Sequence, residues 1–210
     1  STADLDEQSF IDVANHCATL INKIDGSGTE ERYQLDYVID SRKSGIDILT
    51  EMLLTFGGFL VYSGGKFKLR VEKNESSVQA FTMDNIKSET FQYAKKAMSE
   101  TPNRVIVEFR DPDNYWAMVE ASAEDTIDQD DRGIVEKKIS LYGIIRFSQA
   151  SRIAKAILYT SKFNPRITQI TVGIDSLHCE VGDIVTVSHD VPQWVNKPFR
   201  IVAIAEKDDD

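Results

Sequence analysis

A helix end and a hairpin turn follow each other in the stretch LLTFGGFLVYSGGK, residues 53–66. Apolar residues at helical spacing lead into it, and Gly57-Gly58 provides the left-handed exit that helix ends favour. Residues 59–62 are apolar or aromatic, and Gly64-Gly65 permits the positive φ of a tight reversal. The stretch therefore predicts a helix that passes directly into a β-hairpin.

The sequence before this stretch predicts another helix and a strand. Apolar residues recur at helical spacing over residues 10–24, with Ser9 placed as an N-cap and Gly26 as the stop. Apolar and polar residues alternate over residues 33–39, which is typical of a half-buried strand. Ser44 is then placed as the N-cap of the next helix. The first module is therefore predicted to contain a helix, a strand, a second helix and a hairpin, in that order.

Two modules are predicted, because residues 73–90 are polar and weakly patterned. The first module covers residues 1–85, and the second covers residues 86–210.

The second module is predicted to be mostly β with one helix. Its first hairpin joins residues 105–109 to 115–120 through an Asp-Pro-Asp-Asn turn that contains Pro112. An acidic loop, a strand, a helix capped by Ser148 and three closing strands should follow. These segments are 124–131, 134–139, 148–163, 168–174, 184–188 and 199–205.

The expected fold class is α+β. A small helix and hairpin module precedes a mostly antiparallel, β-barrel-like module, and one crossing helix covers its open side. Eight residues are interpreted as structural turn and packing positions: Gly57, Gly58, Gly64, Gly65, Pro112, Gly143, Gly182 and Asp183.

Composition excludes several classes of protein. With 41% hydrophobic and 28% charged residues, the chain should fold as a globular protein. Its net charge is −10 and its 24 basic residues are scattered, which argues against specific nucleic-acid binding. No apolar run approaches the roughly 20 residues of a bilayer span, so no membrane insertion is predicted.

No metal or other cofactor is predicted. The pairs His16-Cys17 and His178-Cys179 raise a zinc hypothesis, but neither has the usual ligand spacing. The run that begins at Asp128 starts like a calcium-binding loop. It then places Arg132 where an oxygen ligand is needed and Ile139 where a bidentate glutamate is needed.

The sequence also predicts that the protein is not an enzyme. No Gly-x-Ser-x-Gly elbow exists, and Ser27 and Ser63 lie in glycine-flanked turns. His189 and Asp190 resemble a base and an orienting carboxylate, but no nucleophile is indicated. The glycine pairs lack the residues that a phosphate-binding loop requires.

Three aromatic residues at turns or strand ends are candidate interface residues: Tyr115, Trp116 and Trp194. Core packing, a protein interface and stacking on sugar are all compatible with their positions.

Several strings, in order, resemble the central region of phage tail-tip proteins related to the host specificity protein J of lambda-like phages. The family shows a helix-to-hairpin passage, an Asp-Pro turn, a following strand, a Gln-Ala helix, a Thr-Val strand and a Pro-Gly-Asp strand. The matching residues here are 53–66, 103–114, 133–138, 148–159, 170–174 and 181–185. Val181 departs from the pattern, since proline is common at that position.

The resemblance implies a structural component of a phage or prophage tail tip or baseplate hub. Such a hub is a homotrimer that closes the tail tube, contacts the tape-measure and distal tail proteins, and links the tube end to host-recognition parts. It implies a location at the virion tail tip, after assembly in the host bacterial cytoplasm.

Two other functions stay open. A receptor- or glycan-binding adhesion module predicts saturable binding that is lost when Trp116 or Trp194 is changed. A tail-associated hydrolase predicts that the chain degrades cell wall or polysaccharide.

Overall fold

The computed structural model describes residues 4–39, 42–164 and 166–206. The chain divides into two compact units: the first comprises Ser1–Asp6, Leu60–Ala94 and Arg166–Asp210, and the second comprises Glu7–Phe59 and Lys95–Pro165. Both units are discontinuous in sequence. The predicted boundary at residue 85 falls inside the first unit, and the division into modules 1–85 and 86–210 stays a prediction.

The N-terminal helix is shorter than its pattern predicts. Helix α1 spans Glu7–Ala18, after which β1 (Leu20–Asn22) pairs antiparallel with β2 (Thr29–Glu31). Gly26, with φ 73°, lies in the turn between these strands and not at a helix end. The prediction of a helix as far as residue 24 is wrong. A short apolar run fits both the helical and the strand periodicity, and the turn glycine allows a hairpin to form. The helix also begins before Ser9, which is not its N-cap.

The predicted strand over residues 33–39 is wrong, since the structure assigns no strand to this segment. Its backbone is held by a side chain and a loop instead of a neighbouring strand. The Gln34 N–H donates to Oε1 of Gln149 at 3.1 Å, and the Asp36 N–H donates to the Gly143 carbonyl at 3.0 Å. The alternation in the sequence does not correspond to a buried face, since Tyr33 and Tyr37 are half-buried whereas Ile39 is exposed.

The helix-to-hairpin passage is confirmed. Helix α2 spans Gly45–Leu54, and Oγ of Ser44 caps it by accepting from the Ile46 N–H at 3.3 Å. Strands β3 (Gly58–Ser63) and β4 (Lys66–Val71) follow as a two-stranded sheet.

The remaining strands, in chain order, are β5 (Gln79–Phe81), β6 (Gln92–Lys95), β7 (Arg104–Asp111), β8 (Ala117–Glu124), β9 (Glu136–Ser140), β10 (Arg166–Gln169), β11 (Ile184–His189) and β12 (Trp194–Arg200). The remaining helices are α3 (Thr126–Arg132) and α4 (Phe147–Phe163).

In the first unit, β11 is the central strand of a three-stranded sheet. It pairs antiparallel with β12 and parallel with β5, while β6 and β10 form a separate pair. Residues 73–90, which were predicted to connect the two modules, thus contain β5, whose hydrogen-bonded neighbour β11 lies far along the chain. The predicted last strand over residues 199–205 is misplaced, because β12 pairs with β11 over Trp194–Arg200 and residues 201–206 form no strand.

In the second unit, β7 is central. It pairs with β8 over its full length in antiparallel register, as predicted, and with β9 in parallel. The predicted acidic loop over residues 124–131 is wrong, because the Asp125 carboxylate accepts from the Asp128 N–H at 3.3 Å and caps α3. Ser148 does not cap α4; its hydroxyl accepts from the Ile24 N–H at 3.2 Å.

Helix α4 packs on the β7–β8 hairpin and forms the core of the second unit. Its buried face carries the small residues Ala150 and Ala154, which let the helix approach the sheet closely, and Ile153 and Leu158 fill the space beside them. The rest of this core is Val105, Val107, Phe109, Ala121, Ala123, Leu141 and Ile144. A separate core in the first unit contains Phe81, Ile86, Cys179, Val185, Val187 and Trp194.

The fold is therefore mixed α+β, with four α-helices and several small sheets over the described residues. Two of its strand pairs are parallel. No closed barrel is formed by the strands of residues 4–39, 42–164 and 166–206. None of the helices in that part of the chain combines the length and the apolar character of a bilayer crossing.

Candidate assembly surface

The β7–β8 hairpin ends in a turn, residues 111–116, that is fixed by its own hydrogen bonds; we name this segment the hairpin tip. The Asp111 carboxylate accepts from the Asp113 N–H at 3.0 Å, and Pro112 opens a short 3₁₀ turn. The Trp116 N–H donates to the Asp111 carbonyl at 2.9 Å, and Arg110 donates to the Trp116 carbonyl at 3.2 Å. The tip is thus preorganised before any partner binds.

The hairpin tip presents two aromatic side chains in an unusual conformation. Tyr115 and Trp116 both have left-handed backbone angles, with φ 53° and 62°, which bulky residues rarely adopt. Tyr115 is 96% exposed and Trp116 is 55% exposed. Backbone strain of this kind is concentrated at functional positions, and here the strained turn holds two aromatic rings out in solvent.

Trp194 has a different environment and belongs to the first unit. It is buried, with its ring 5.7 Å from Phe91, 5.6 Å from Tyr93 and 5.0 Å from Phe199. The structure therefore brings Tyr115 and Trp116 together at one turn, whereas Trp194 lies within an aromatic core.

The residues predicted as structural positions lie in turns and close contacts. Positive φ is found at Gly57, Gly64, Gly65 and Gly182. Gly143 is required by packing, since a Cβ there would lie 2.7 Å from Cδ1 of Leu35 and 3.0 Å from Cγ2 of Thr55. A Cβ at Gly58 would lie 2.1 Å from the ring of Phe56.

Asp183 joins an ion-pair cluster that its sequence position does not reveal. Its carboxylate accepts from the Glu180 N–H at 2.9 Å and pairs with Arg70 at 3.3 Å. Glu180 in turn pairs with Lys68 at 2.6 Å. These charges neutralise one another within the first unit.

A second buried cluster in the second unit was also missed by sequence reasoning. Only 6% of the Glu30 side chain is exposed, and it pairs with Arg146 at 3.3 Å and with Arg152. Burial, the largest single influence, raises the pKa of Glu30. Hydrogen bonds from Ser148 and Arg152 and the charges of both arginines outweigh it, so the pKa lies below its ordinary value.

We expect Glu30→Gln to lower the free energy of unfolding at pH 7 by roughly 2 kcal/mol, because charge-assisted hydrogen bonds are lost. A carboxylate with a lowered folded-state pKa stabilises above its unfolded pKa, and this stabilisation is lost as the pH falls through the folded pKa. The difference between wild type and variant should therefore shrink from about pH 4.5 downward. Urea titrations from pH 7 to pH 3 measure it, and a difference that is constant with pH would contradict this assignment.

Two of the residues considered in the sequence as ligands or catalytic groups, Asp128 and His189, make structural contacts in the fold. Asp128 pairs with Arg132 at 2.6 Å, and this hydrogen bond is the main reason its pKa is lowered. The His189 ring stacks on Phe91 at 3.8 Å, and its Nδ1 accepts from the Val191 N–H.

The two cysteines resemble ordinary packed thiols. Burial raises the pKa of both Cys17 and Cys179, which disfavours the thiolate form through which a thiol reacts. Over the residues that the structure describes, no group of three His, Cys, Asp or Glu side chains could hold a metal ion.

Comparison with known proteins agrees with this fold. The chain is 22% identical over 184 residues to the tip attachment protein J of Escherichia phage SECphi27, a match that covers 88% of this chain and 15% of that protein. It aligns with a chain of the virion of a native gene transfer agent particle at TM-score 0.66 and 16% identity, covering 81% of this chain and 38% of the other. It aligns with the 43 kDa tail protein of prophage MuSo2 from Shewanella oneidensis at TM-score 0.52 and 11% identity, covering 84% and 52%.

This chain thus spans a small part of the curated relative and about half or less of the two structural neighbours. A family model described as "Putative phage tail protein" matches residues 44–204, which is most of the chain. The resemblance seen in the sequence is confirmed, and the chain belongs to this family of phage tail proteins.

Proposed function

We propose that this chain is a structural part of a phage or prophage tail-tip or baseplate hub, and that it works by self-assembly. The observation that carries this proposal is the hairpin tip, where a preorganised turn holds Tyr115 and Trp116 in solvent. Rigid, exposed aromatic side chains are typical anchors of protein interfaces, since they bury large areas at little cost in conformational entropy.

Membership of the phage tail protein family supports a proposal for the role of the chain in the particle. We infer that copies associate as a homotrimer at the end of the tail tube, and that the tape-measure and distal tail proteins are its other partners. The hub would assemble in the host cytoplasm and remain at the tail tip of the virion. Tip attachment protein J, which is similar to this chain, supports this placement through its name.

A non-catalytic role fits the way in which polar groups are used. The carboxylates of Glu30, Asp128 and Glu180 are engaged by basic side chains, so their charges stabilise the fold. A structural protein needs such groups to set the shape of its surfaces. It does not need them to converge on a substrate.

The barrel-like form of the hub module is part of the same proposal. Over the described residues, each outer strand of the three-stranded sheets in the two units is paired on one side only, and edge strands are usually covered by pairing or by assembly. Neighbouring copies in a closed ring would provide such cover.

The experiment is multi-angle light scattering of the 210-residue chain at several concentrations. We expect the mass to rise toward that of a trimer, and we expect the double variant Tyr115→Asn/Trp116→Asn to weaken this association by at least about tenfold. Asparagine tolerates left-handed backbone angles, so the double variant keeps the turn and removes only the rings.

Tyr159→Ala, at a tyrosine that is 54% exposed on α4, is the matched control and should associate like wild type. A wild-type chain that stays monomeric at every concentration would contradict self-assembly through this region.

A further inference from the structure

The first unit carries two basic side chains next to an aromatic cluster of which Tyr93 is exposed and Trp194 is buried; we name Tyr93, Arg166, Trp194 and Lys197 the cationic patch. Nζ of Lys197 lies 5.5 Å from the centre of the Trp194 ring. Tyr93 meets the edge of the same ring and is itself 50% exposed. Arg166 begins β10, the strand that pairs with the strand of Tyr93, and its side chain is exposed.

Among the residues that the structure describes, the two cations of this patch have no neutralising partner. Burial lowers the pKa of Lys197, and the positive charge of Arg166 lowers it further. Neither side chain forms an ion pair with any acidic group in the described residues. The other basic clusters of this unit differ, because Lys68 and Arg70 share Glu180 and Arg200 pairs with Glu72. Lys197 lies over the Trp194 ring, and Arg166 lies on the strand that pairs with the strand of Tyr93, the edge partner of that ring. Two cations beside one ring pair on a strongly acidic protein therefore mark a surface that an anion from outside would stabilise.

The chemistry that fits this surface is an anionic group beside a planar aromatic ring. The carboxylate would lie between Arg166 and Lys197, and the ring would pack against Tyr93. Charge-assisted contacts of this kind orient a partner as well as attract it.

The hairpin tip of the same chain offers this combination. Asp113 is exposed, and only its backbone N–H is used in the turn. Tyr115, two residues later, is almost fully exposed. Arg110 lies at the base of the turn, where it donates to the Trp116 carbonyl. The acidic and aromatic groups therefore project together from one rigid turn.

We propose that the hairpin tip of one copy docks on the cationic patch of a second copy, with Asp113 between Arg166 and Lys197 and Tyr115 against Tyr93. This inference rests on the proposed self-assembly and names the two surfaces that meet. It accounts for two features that the fold alone leaves unexplained, which are the strained aromatic turn and two cations that have no acidic partner in the described part of the chain.

The contact is heterologous, because tip and patch are different surfaces. Each copy therefore has one hairpin tip and one cationic patch to offer. A head-to-tail series of copies closes into a ring when the rotation between copies allows it. A ring of three copies uses every tip and every patch. Charge complementarity also sets the orientation, since a tip that meets another tip brings like charges together.

The test is a charge exchange measured by sedimentation velocity of the 210-residue chain. Asp113→Lys alone and Arg166→Glu/Lys197→Glu alone should each weaken self-association by at least about tenfold. The triple variant that combines all three changes should regain most of it, because the signs are then reversed on both surfaces. Circular dichroism and the melting temperature show whether each variant is folded.

Lys155→Glu and Asp84→Lys are the matched controls, as both positions are exposed and lie outside tip and patch. Both controls should associate like wild type. Suppose that wild type associates, that Tyr115→Asn/Trp116→Asn does not, and that Arg166→Glu/Lys197→Glu still does. The hairpin tip then docks somewhere other than the cationic patch, and the proposed function stands. If wild type itself is monomeric, both the proposed self-assembly and this contact are wrong.

An acidic sugar is the other ligand that a cationic aromatic surface could take. Asp113→Lys leaves the patch free, so titrating this variant with oligogalacturonate tests it directly. No saturable binding is expected. Saturable binding that is lost in Arg166→Glu/Lys197→Glu, together with self-association that the patch variant leaves unchanged, would overturn the proposal in favour of a glycan site.

Discussion

Replacing Phe109 by alanine should lower the free energy of unfolding of the second unit by about 3–5 kcal/mol. The Phe109 side chain is fully buried on β7, where it packs within the core beneath α4 and lies 6.3 Å from the ring of Phe147. Alanine removes the transfer free energy of the ring and leaves a cavity that the rigid sheet cannot close. Urea denaturation followed by circular dichroism measures the change.

Phe163→Ala is the control for Phe109→Ala, since it makes the same chemical change at a phenylalanine that is 64% exposed. Its effect should stay within about 0.5 kcal/mol, which is typical of surface substitutions. Equal losses for the two variants would mean that Phe109 does not lie at the centre of the core.

Replacing Gln149 by methionine should cost about 3–4 kcal/mol, since several buried polar groups lose their partner together. The side chain is 1% exposed, and its Nε2 donates to the Gln34 carbonyl at 3.0 Å and to the Thr55 carbonyl at 3.2 Å. Its Oε1 accepts from the Gln34 N–H and from Arg146. Methionine has similar length but makes none of these hydrogen bonds.

The control for Gln149→Met is Lys155→Met, at an exposed position of the same helix. It should change stability by less than about 0.5 kcal/mol. Amide hydrogen exchange adds a local measurement, because Gln149→Met should speed exchange of the Gln34 amide. Unchanged exchange at Gln34 would show that residues 33–39 are held by other contacts.

The sequence predicted those elements whose signals are local. Helix α2 and the hairpin after it follow from Ser44, Gly57 and the paired glycines, which act within a few residues of the structure they form. Residues 33–39 failed for the opposite reason. Their backbone is hydrogen-bonded by the side chain of Gln149, more than a hundred positions away. A local sequence pattern cannot reveal that a distant glutamine side chain, and not a neighbouring strand, binds this segment.

The candidate surface was predictable in part. The Asp-Pro-Asp-Asn run predicted the turn, and the structure adds that Tyr115 and Trp116 are held outward with positive φ. Trp194 looked equivalent in the sequence, but the pairing of β11 with β12 places it in a core. The sequence does not indicate the cationic patch, because Arg166 and Lys197 lie on strands of different sheets, which the contact of Tyr93 with Trp194 joins only in the folded unit.

The discontinuity of the two units affects the order in which a growing chain can fold. All segments of the second unit have been translated once residue 165 is added, whereas β5 must wait for β11 as its parallel neighbour. On the ribosome, β5 and β6 would therefore emerge early and stay unpaired until the C-terminal segment is made, whereas β3 and β4 pair with each other. The first unit would thus complete its strand pairing only after every segment of the second unit has been made.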